Sequence, residues 1–415
     1  MLTIRKIRVA SGDWAAARRA AEYALGGRES PAAVAGEIDR LDGETAIAGE
    51  PTPTALWLGS PQMLSQLEVE RGERLNIRGL GRALQGRTAK SGTRLRREGW
   101  IETELRDERG RLTYDENGRR RTGRVAGTKS VDLTFSAPKS VSLVWSQAHP
   151  RLRRELEEAM IAAADAVLAN MTTTKPVVAH KRGLWPARGF AAAASLHVVA
   201  RAARGSAIPS PQLHVHGLVV GVERSDGFFA SPELSGMFKH GAPLEGGAVG
   251  RALLAERLVD LGFEIEQRGR YFEIAGVPNE LIEVMSPRAR EVAAGVRERE
   301  RETGRELTDR QRAAVALETR QPKGKEASLT RTVAGWAETA RSFGFDADRI
   351  ERLRRGRGFG ARLEERLAAV TAKASARLRA SGGEVPAAEA RALLLECAAG
   401  RLRLSEGLHA SEAPA

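Results

Sequence analysis

The 415-residue chain carries 66 Lys and Arg against 53 Asp and Glu, a formal net charge of +13, with 42% hydrophobic and 29% charged residues. That length exceeds one ordinary core, and that hydrophobic content excludes a largely disordered chain. The charge points to a polyanionic partner, nucleic acid first, although a genome rich in Arg and Ala codons produces the same bias. The single cysteine, Cys397, excludes an internal disulfide framework and fits a reducing compartment. "MLTIRKIRVASGDW" has no apolar signal-peptide region, and no run is long enough to span a bilayer. A cytoplasmic protein without membrane insertion is the expectation.

In chain order, "LTIRKIRV" (2–9) alternates apolar and basic residues and predicts a half-buried strand. "GDWAAARRAAEYALGG" predicts a short helix capped by Asp13 and stopped by Gly26 and Gly27. Residues 30–80 read as mixed helix and loop. Residues 81–128 are Gly- and Arg-rich with little periodicity, which suggests a loop or hairpin with excess positive charge. "SVDLTFSAPKS" predicts a strand ending at Pro138, and "LRRELEEAMIAAADAVLANM" an amphipathic helix. "KPVVAHKRGLW", "FAAAASLHVVARAA" and "QLHVHGLVVGVER" read as three strands. "GGAVGRALLAERLVDLGF" reads as a helix and "EIEQRGRYFEIAG" as a hairpin turning at Gly269. Beyond Pro278 the pattern is almost entirely helical, with residues 406–415 as a frayed tail.

The chemistry concentrates in "PQLHVHGLVV". Residues i and i+2 of a strand share a face, so His214 and His216 project side by side. Two unpartnered buried imidazoles are costly, and a bound metal removes that cost. The alternative is a pair of satisfied core histidines. His197 in the preceding strand is the natural third ligand, because the connection to Pro211 is long enough to return the chain antiparallel. Three histidines leave coordination positions open for a substrate oxygen. Asp132, apolar-flanked in "SVDLTFS", is a candidate to orient an imidazole; a backbone-bonded aspartate near a strand start is the other reading. The chain has three tyrosines. Tyr114 lies in the Arg-rich segment, Tyr271 looks like strand packing, and Tyr23 near the end of the first helix reads as a core residue. "GRRRTGRV" lacks the Lys-Ser/Thr of a phosphate-binding loop, and neither G-x-S-x-G nor H-E-x-x-H occurs.

"VDLTFSAPKSVSL" followed some eighty residues later by "PQLHVHGLVV" resembles the relaxase domain of the TrwC/TraI type, the MobF class of conjugative relaxases within the HUH endonucleases. "FASPELSGMFKHGAPLEGGAVGRALLAERLVDLGFEIEQ" and "GRYFEIAGVPNELIEVMSPRAREV" are similar to the family's next segments, so the resemblance covers roughly residues 1–345. It implies a metal-dependent, site- and strand-specific nick at an origin of transfer, with a tyrosine joined to DNA as a 5′-phosphotyrosine. By that resemblance His197, His214 and His216 hold one divalent ion (magnesium, manganese, zinc or similar) and Asp132 supports the site. Arg201 lies near DNA phosphates, and Tyr23 takes the N-terminal tyrosine position. Ala200 and Ser210 depart from the family pattern, and one N-terminal tyrosine stands where many relatives carry several.

The fold class expected is α+β, a central antiparallel sheet flanked by helices with a helical C-terminal extension. Residues 1–275 form the catalytic core in this reading, 276–345 the helical part of the same domain, 346–405 the extension and 406–415 a disordered tail. Segment 81–128, Lys181, Arg182 and Lys139 are candidates for the DNA groove, with Trp100 and Tyr114 as stacking platforms. Partners would be single-stranded origin-of-transfer DNA, relaxosome accessory proteins and a coupling protein. A rolling-circle initiator or transposase with the same chemistry, and a non-cleaving DNA-binding homologue, are the alternatives.

Overall fold

In the computed structural model, which describes residues 2–25, 30–42, 55–96, 98–104, 107, 112–180, 183–200, 202–203, 206, 208–238, 241–319, 327–356, 358–381 and 385–412, the alternating N-terminal run forms β1 (Leu2–Ala10). Asp13 caps α1 (Trp14–Leu25), its Oδ1 accepting the Ala16 N–H at 2.8 Å as the sequence predicts. α2 (Pro31–Asp42), β2 (Ala55–Gly59), α3 (Pro61–Gln66) and α4 (Ile77–Leu84) follow. β3 (Gly99–Glu104) pairs with the long β4 (Thr122–Ser136), giving the hairpin expected in the Arg-rich region. Then come α5 (Lys139–Gln147), α6 (Pro150–Thr173), β5 (Val178–His180), β6 (Gly183–Trp185), β7 (Phe190–Val199), β8 (Pro211–Glu223) and β9 (Phe229–Ala230). α7 (Ala242–Asp260) precedes the hairpin β10 (Ile265–Arg268) and β11 (Tyr271–Ile274). The rest is helical: α8 (Asn279–Val284), α9 (Pro287–Thr303), α10 (Asp309–Glu318), α11 (Leu329–Ser342), α12 (Ala347–Leu353), α13 (Leu363–Ala380), α14 (Ala387–Ala398) and α15 (Leu404–Glu412).

The main sheet runs β1-β4-β8-β7-β2, with β3 also on β4 and β9 also on β8, and every pairing is antiparallel. Alternation along the strands sorts side chains to two faces. On the rear face Leu133, Phe135, Val215, Leu196 and Val198 share one core with α5 and α6 residues such as Val141, Leu156 and Leu168. On the front face Leu218, Val220 and Ala193 pack against Ala17 and Ala21 of α1 and Leu80 and Leu84 of α4. Gly217 lets α6 close on β8, because a Cβ there would meet the Leu168 side chain at 2.8 Å. The histidines belong to the front face.

Three expectations are corrected. Residues 30–80 include β2, which pairs with β7; an apolar run of five, "ALWLG", is too short for periodicity to separate strand from helix. "KPVVAHKRGLW" is not one core strand but a small hairpin, β5 with β6, outside the main sheet. The tail expected from residue 406 is helical through Glu412, because Leu404 and Leu408 of α15 pack beside Ala248, Ala252 and Leu395 of α7 and α14. Ion pairs in turn hold α14 on α7. Glu396 of α14 accepts Arg251 of α7 at 3.2 Å and Arg270 at 3.1 Å, and Glu245 of α7 accepts Lys175 at 2.7 Å and Arg391 of α14 at 3.1 Å.

Glu157 of α6 sits in the rear core, 5% exposed, and accepts the Trp145 indole N–H at 2.9 Å. Burial pushes its carboxyl up to about 7 despite that bond and nearby Arg153 and Arg154. Below its unfolded pKa the group is neutral in both states and costs nothing. As pH rises from the unfolded value towards 7 the folded protein holds a proton the unfolded chain releases, so stability falls. Glu157→Gln keeps an acceptor for Trp145. Denaturant unfolding should show it more stable than wild type by about 1–3 kcal/mol at pH 8 and equal at pH 4.

Candidate metal and nucleophile site

β7 and β8 lie side by side with His197 opposite His214 and Ser195 opposite His216. The three imidazoles therefore meet, with ring centroids 5.3 Å apart for His197–His214, 4.8 Å for His197–His216 and 5.3 Å for His214–His216. One ring nitrogen from each lies within 4.8 Å of the others. His197 and His216 are buried and His214 half-buried.

Each ring has an acceptor beside one nitrogen. His216 Nδ1 lies 2.9 Å and 3.1 Å from the two Asp132 oxygens, His214 Nδ1 is 2.9 Å from the Gln212 carbonyl, and His197 Nε2 is 3.0 Å from the Ala24 carbonyl. Carbonyls and carboxylates only accept, so those nitrogens are the donors. Three imidazoles grouped in this way are a donor set suited to a divalent ion. Asp132 reaches His216 diagonally, since its own cross-strand partner on β8 is Leu218. Asp132 therefore sits against an imidazole. Thr134, which spacing arguments missed, adds a hydroxyl 3.1 Å from His216 Nδ1 and 3.3 Å from Asp132 Oδ1. Its position two residues from Asp132 on one strand face was the available signal.

Tyr23 belongs to this cluster. α1 lies on the front face through Ala17, Ala21 and Ala24, small residues at helical spacing that let it approach the sheet. The half-buried Tyr23 ring meets His216 edge-on, with centroids 5.5 Å apart and planes at 70°. The other two tyrosines are elsewhere. Tyr114 is 55% exposed and bridges to Arg120, near the β3–β4 hairpin. Tyr271 is 47% exposed on β11 with the Arg251 guanidinium 5.1 Å over its ring, so it is not the packed strand residue expected.

The basic candidates divide. Arg201, Lys181 and Arg182 lie outside the described residues. Lys139 is half-buried. Its Nζ donates to the Pro211 carbonyl at 2.8 Å, tying α5 to the start of β8, and burial pushes its ammonium down to about 7 against the pull of Glu273. Within 81–128, Arg96 is buried, and Arg82 and Arg87 donate to the Lys90 and Gly92 carbonyls. Among the described residues the exposed charge lies instead at Arg119, Arg121 and Arg124 beside and on β4, while Arg120 is paired with Glu104 at 2.6 Å and Trp100 of β3 is 64% exposed in the same hairpin. No helix among the described residues is long and apolar enough to cross a membrane.

The fold is similar to that of solved TrwC structures. A conjugative relaxase TrwC with oriT DNA in a metal-bound state matches at 21% identity and a TM-score of 0.55, and its metal-free counterpart at 20% and 0.54. TrwC with a 27-mer comprising the recognition hairpin and the cleavage site matches at 20% and 0.53. Each match covers 83% of this chain and 100% of the other. Comparison with curated protein sequences gives no match. The sequence profile of the TrwC relaxase family matches residues 44–343, most of the chain and all of its β4, β7 and β8 strands, and the chain belongs to that family.

Proposed function

We propose that the protein is a conjugative DNA relaxase that nicks one strand at an origin of transfer and holds it covalently on Tyr23. The observation that carries this is the Tyr23 ring against His216 inside a three-histidine cluster, on the family's fold. TrwC structures with oriT DNA, including one described as metal-bound and one as copper-bound, support the same substrate and a divalent ion at the cluster.

A free phenol has a pKa near 10, so Tyr23 needs help to act as a nucleophile. His197, His214 and His216 would hold the ion, which when bound supplies positive charge to the non-bridging oxygens of the scissile phosphate. Asp132 keeps His216 in one tautomer and stands as the anionic group into which the phenolic proton passes. Tyr23 Oη then bonds to phosphorus as the P–O3′ bond breaks, and the departing 3′-oxygen takes a proton from water, leaving a 3′-hydroxyl and a 5′-phosphotyrosine. One phosphodiester replaces another, so the reverse attack by a 3′-hydroxyl rejoins the strand without a nucleotide cofactor. Strand binding draws on the +13 charge and the exposed arginines of the β3–β4 hairpin, and weakens with salt. In this reading accessory proteins and a coupling protein meet the protein–DNA adduct, and the compartment is the cytoplasm.

The deciding experiment incubates the protein with labelled single-stranded origin oligonucleotides and a divalent ion and follows the covalent adduct on denaturing gels. Wild type should form it, Tyr23→Phe should bind DNA without forming it, and EDTA should abolish it; an adduct with Tyr23→Phe contradicts the assignment. Asp132→Ala should weaken ion binding by about 10–100-fold in calorimetry without DNA. Because Tyr114 and Tyr271 sit away from the histidines, intact-mass spectra with two oligonucleotides of different length should show one adduct per chain and never both together.

A further inference from the structure

Ser195 is the last residue of "FAAAAS" before Leu196 and His197, a polar side chain at the end of four alanines on β7. It is 2% exposed, and its hydroxyl donates to the Ala24 carbonyl. The same carbonyl accepts His197 Nε2 at 3.0 Å. Ala24 follows Tyr23 directly, in the last turn of α1, which ends at Leu25. A carbonyl in that turn lies beyond the helix's own donors, so its hydrogen bond must come from outside the helix. Here two donors from one face of β7, at i and i+2, supply it. They fix the end of α1 that carries Tyr23 to the strand that carries His197.

We propose that Ser195 is a positioning residue for the nicking reaction: with His197 it clamps the Ala24 carbonyl and so fixes Tyr23 at the reacting phosphate. This deepens the relaxase reading and rests on it. The placement of a nucleophile governs its rate strongly, and a displacement on the order of 1 Å costs about 100-fold. The clamp also joins two parts of the site through one oxygen atom, His197 of the histidine cluster and the backbone beside Tyr23. Ser195 pairs with His216 across the strands, so the hydroxyl sits among all three elements of the cluster. Removing it leaves His197 as the one remaining donor of the pair and loosens the end of α1, with the three histidines, Asp132 and the exposed arginines in place.

The test compares Ser195→Thr with Ser195→Val in the full chain. The two side chains have the same shape and both suit a strand, so they differ only in the hydroxyl. Amide hydrogen exchange without DNA or metal reads the clamp, and adduct formation at saturating oligonucleotide reads its consequence. Ser195→Thr should keep residues 21–25 as protected as Ser195→Val leaves them unprotected, and should form adduct at least about 10-fold faster. Ion affinity by calorimetry and DNA affinity should agree within about 2-fold between the two. Equal exchange protection, or equal adduct rates, overturns the proposal. A rate difference matched by an equal loss of ion affinity also overturns it, by assigning the effect to His197. If wild type forms no adduct at all, the relaxase reading fails, and the exchange comparison still decides whether Ser195 holds the end of α1.

Discussion

The register of β7 on β8 is the constraint on which the site depends. Pairing His197 with His214 places three imidazoles on the front face, over α1 and away from the rear core. A slip of one residue along β8 would turn His214 and His216 into the rear core and bring Leu213 and Val215 forward. The fold defends that register from both sides. Leu213, Val215 and Val219 are buried against the rear helices, and Gly217 leaves room for Leu168 between two of them. A third strand, β4, then brings Asp132 and Thr134 to His216. The site needs these strands to be neighbours, and the antiparallel order β4-β8-β7 makes them so.

The two layers do different work. The rear layer is deep and apolar, with α5, α6 and α7 stacked on the sheet and α14 docked on α7 through buried pairs centred on Glu245 and Glu396. Breaking one partner of a buried pair typically costs about 3–5 kcal/mol, so this layer resists local opening. The front layer is thinner and leaves Tyr23 and His214 half-buried. Alanine at 17, 21 and 24 is what brings α1 close enough for its last turn to meet the sheet. Charge follows the same division. Arg251 is buried, while Arg119, Arg121 and Arg124 of the β3–β4 hairpin region are exposed.

Much of the site was legible before the structure because strand geometry has a short period. Two histidines at i and i+2 define a face, a third in the preceding strand can only reach them by antiparallel return, and Asp132 stood in an apolar strand where an unpaired carboxylate is costly. The antiparallel sheet and the helical C-terminal part followed from the same patterns. Tyr23 was not legible from spacing; it lies some 170 residues from His197, and its residue-level reading was core. Only the resemblance placed it, and the edge contact with His216 supports that placement. For Lys139 the sequence gives a charge but not its direction, and its ammonium donates to the Pro211 carbonyl. β2 and the β5–β6 hairpin were too short to show a period, and α15 is held by contacts with α7 and α14 that its own residues do not announce. Ser195 was invisible for the same reason, since its partner is a backbone oxygen 171 positions away.

The central claim is that the three histidines of β7 and β8 act together as one ion site beside Tyr23. Pulsed electron paramagnetic resonance on the manganese-loaded protein tests it most directly. The account predicts one ion per chain coupled to three imidazole nitrogens, falling to two in His214→Ala. An ion coupled to fewer than three imidazoles in the wild type, or an unchanged spectrum in His214→Ala, would contradict it.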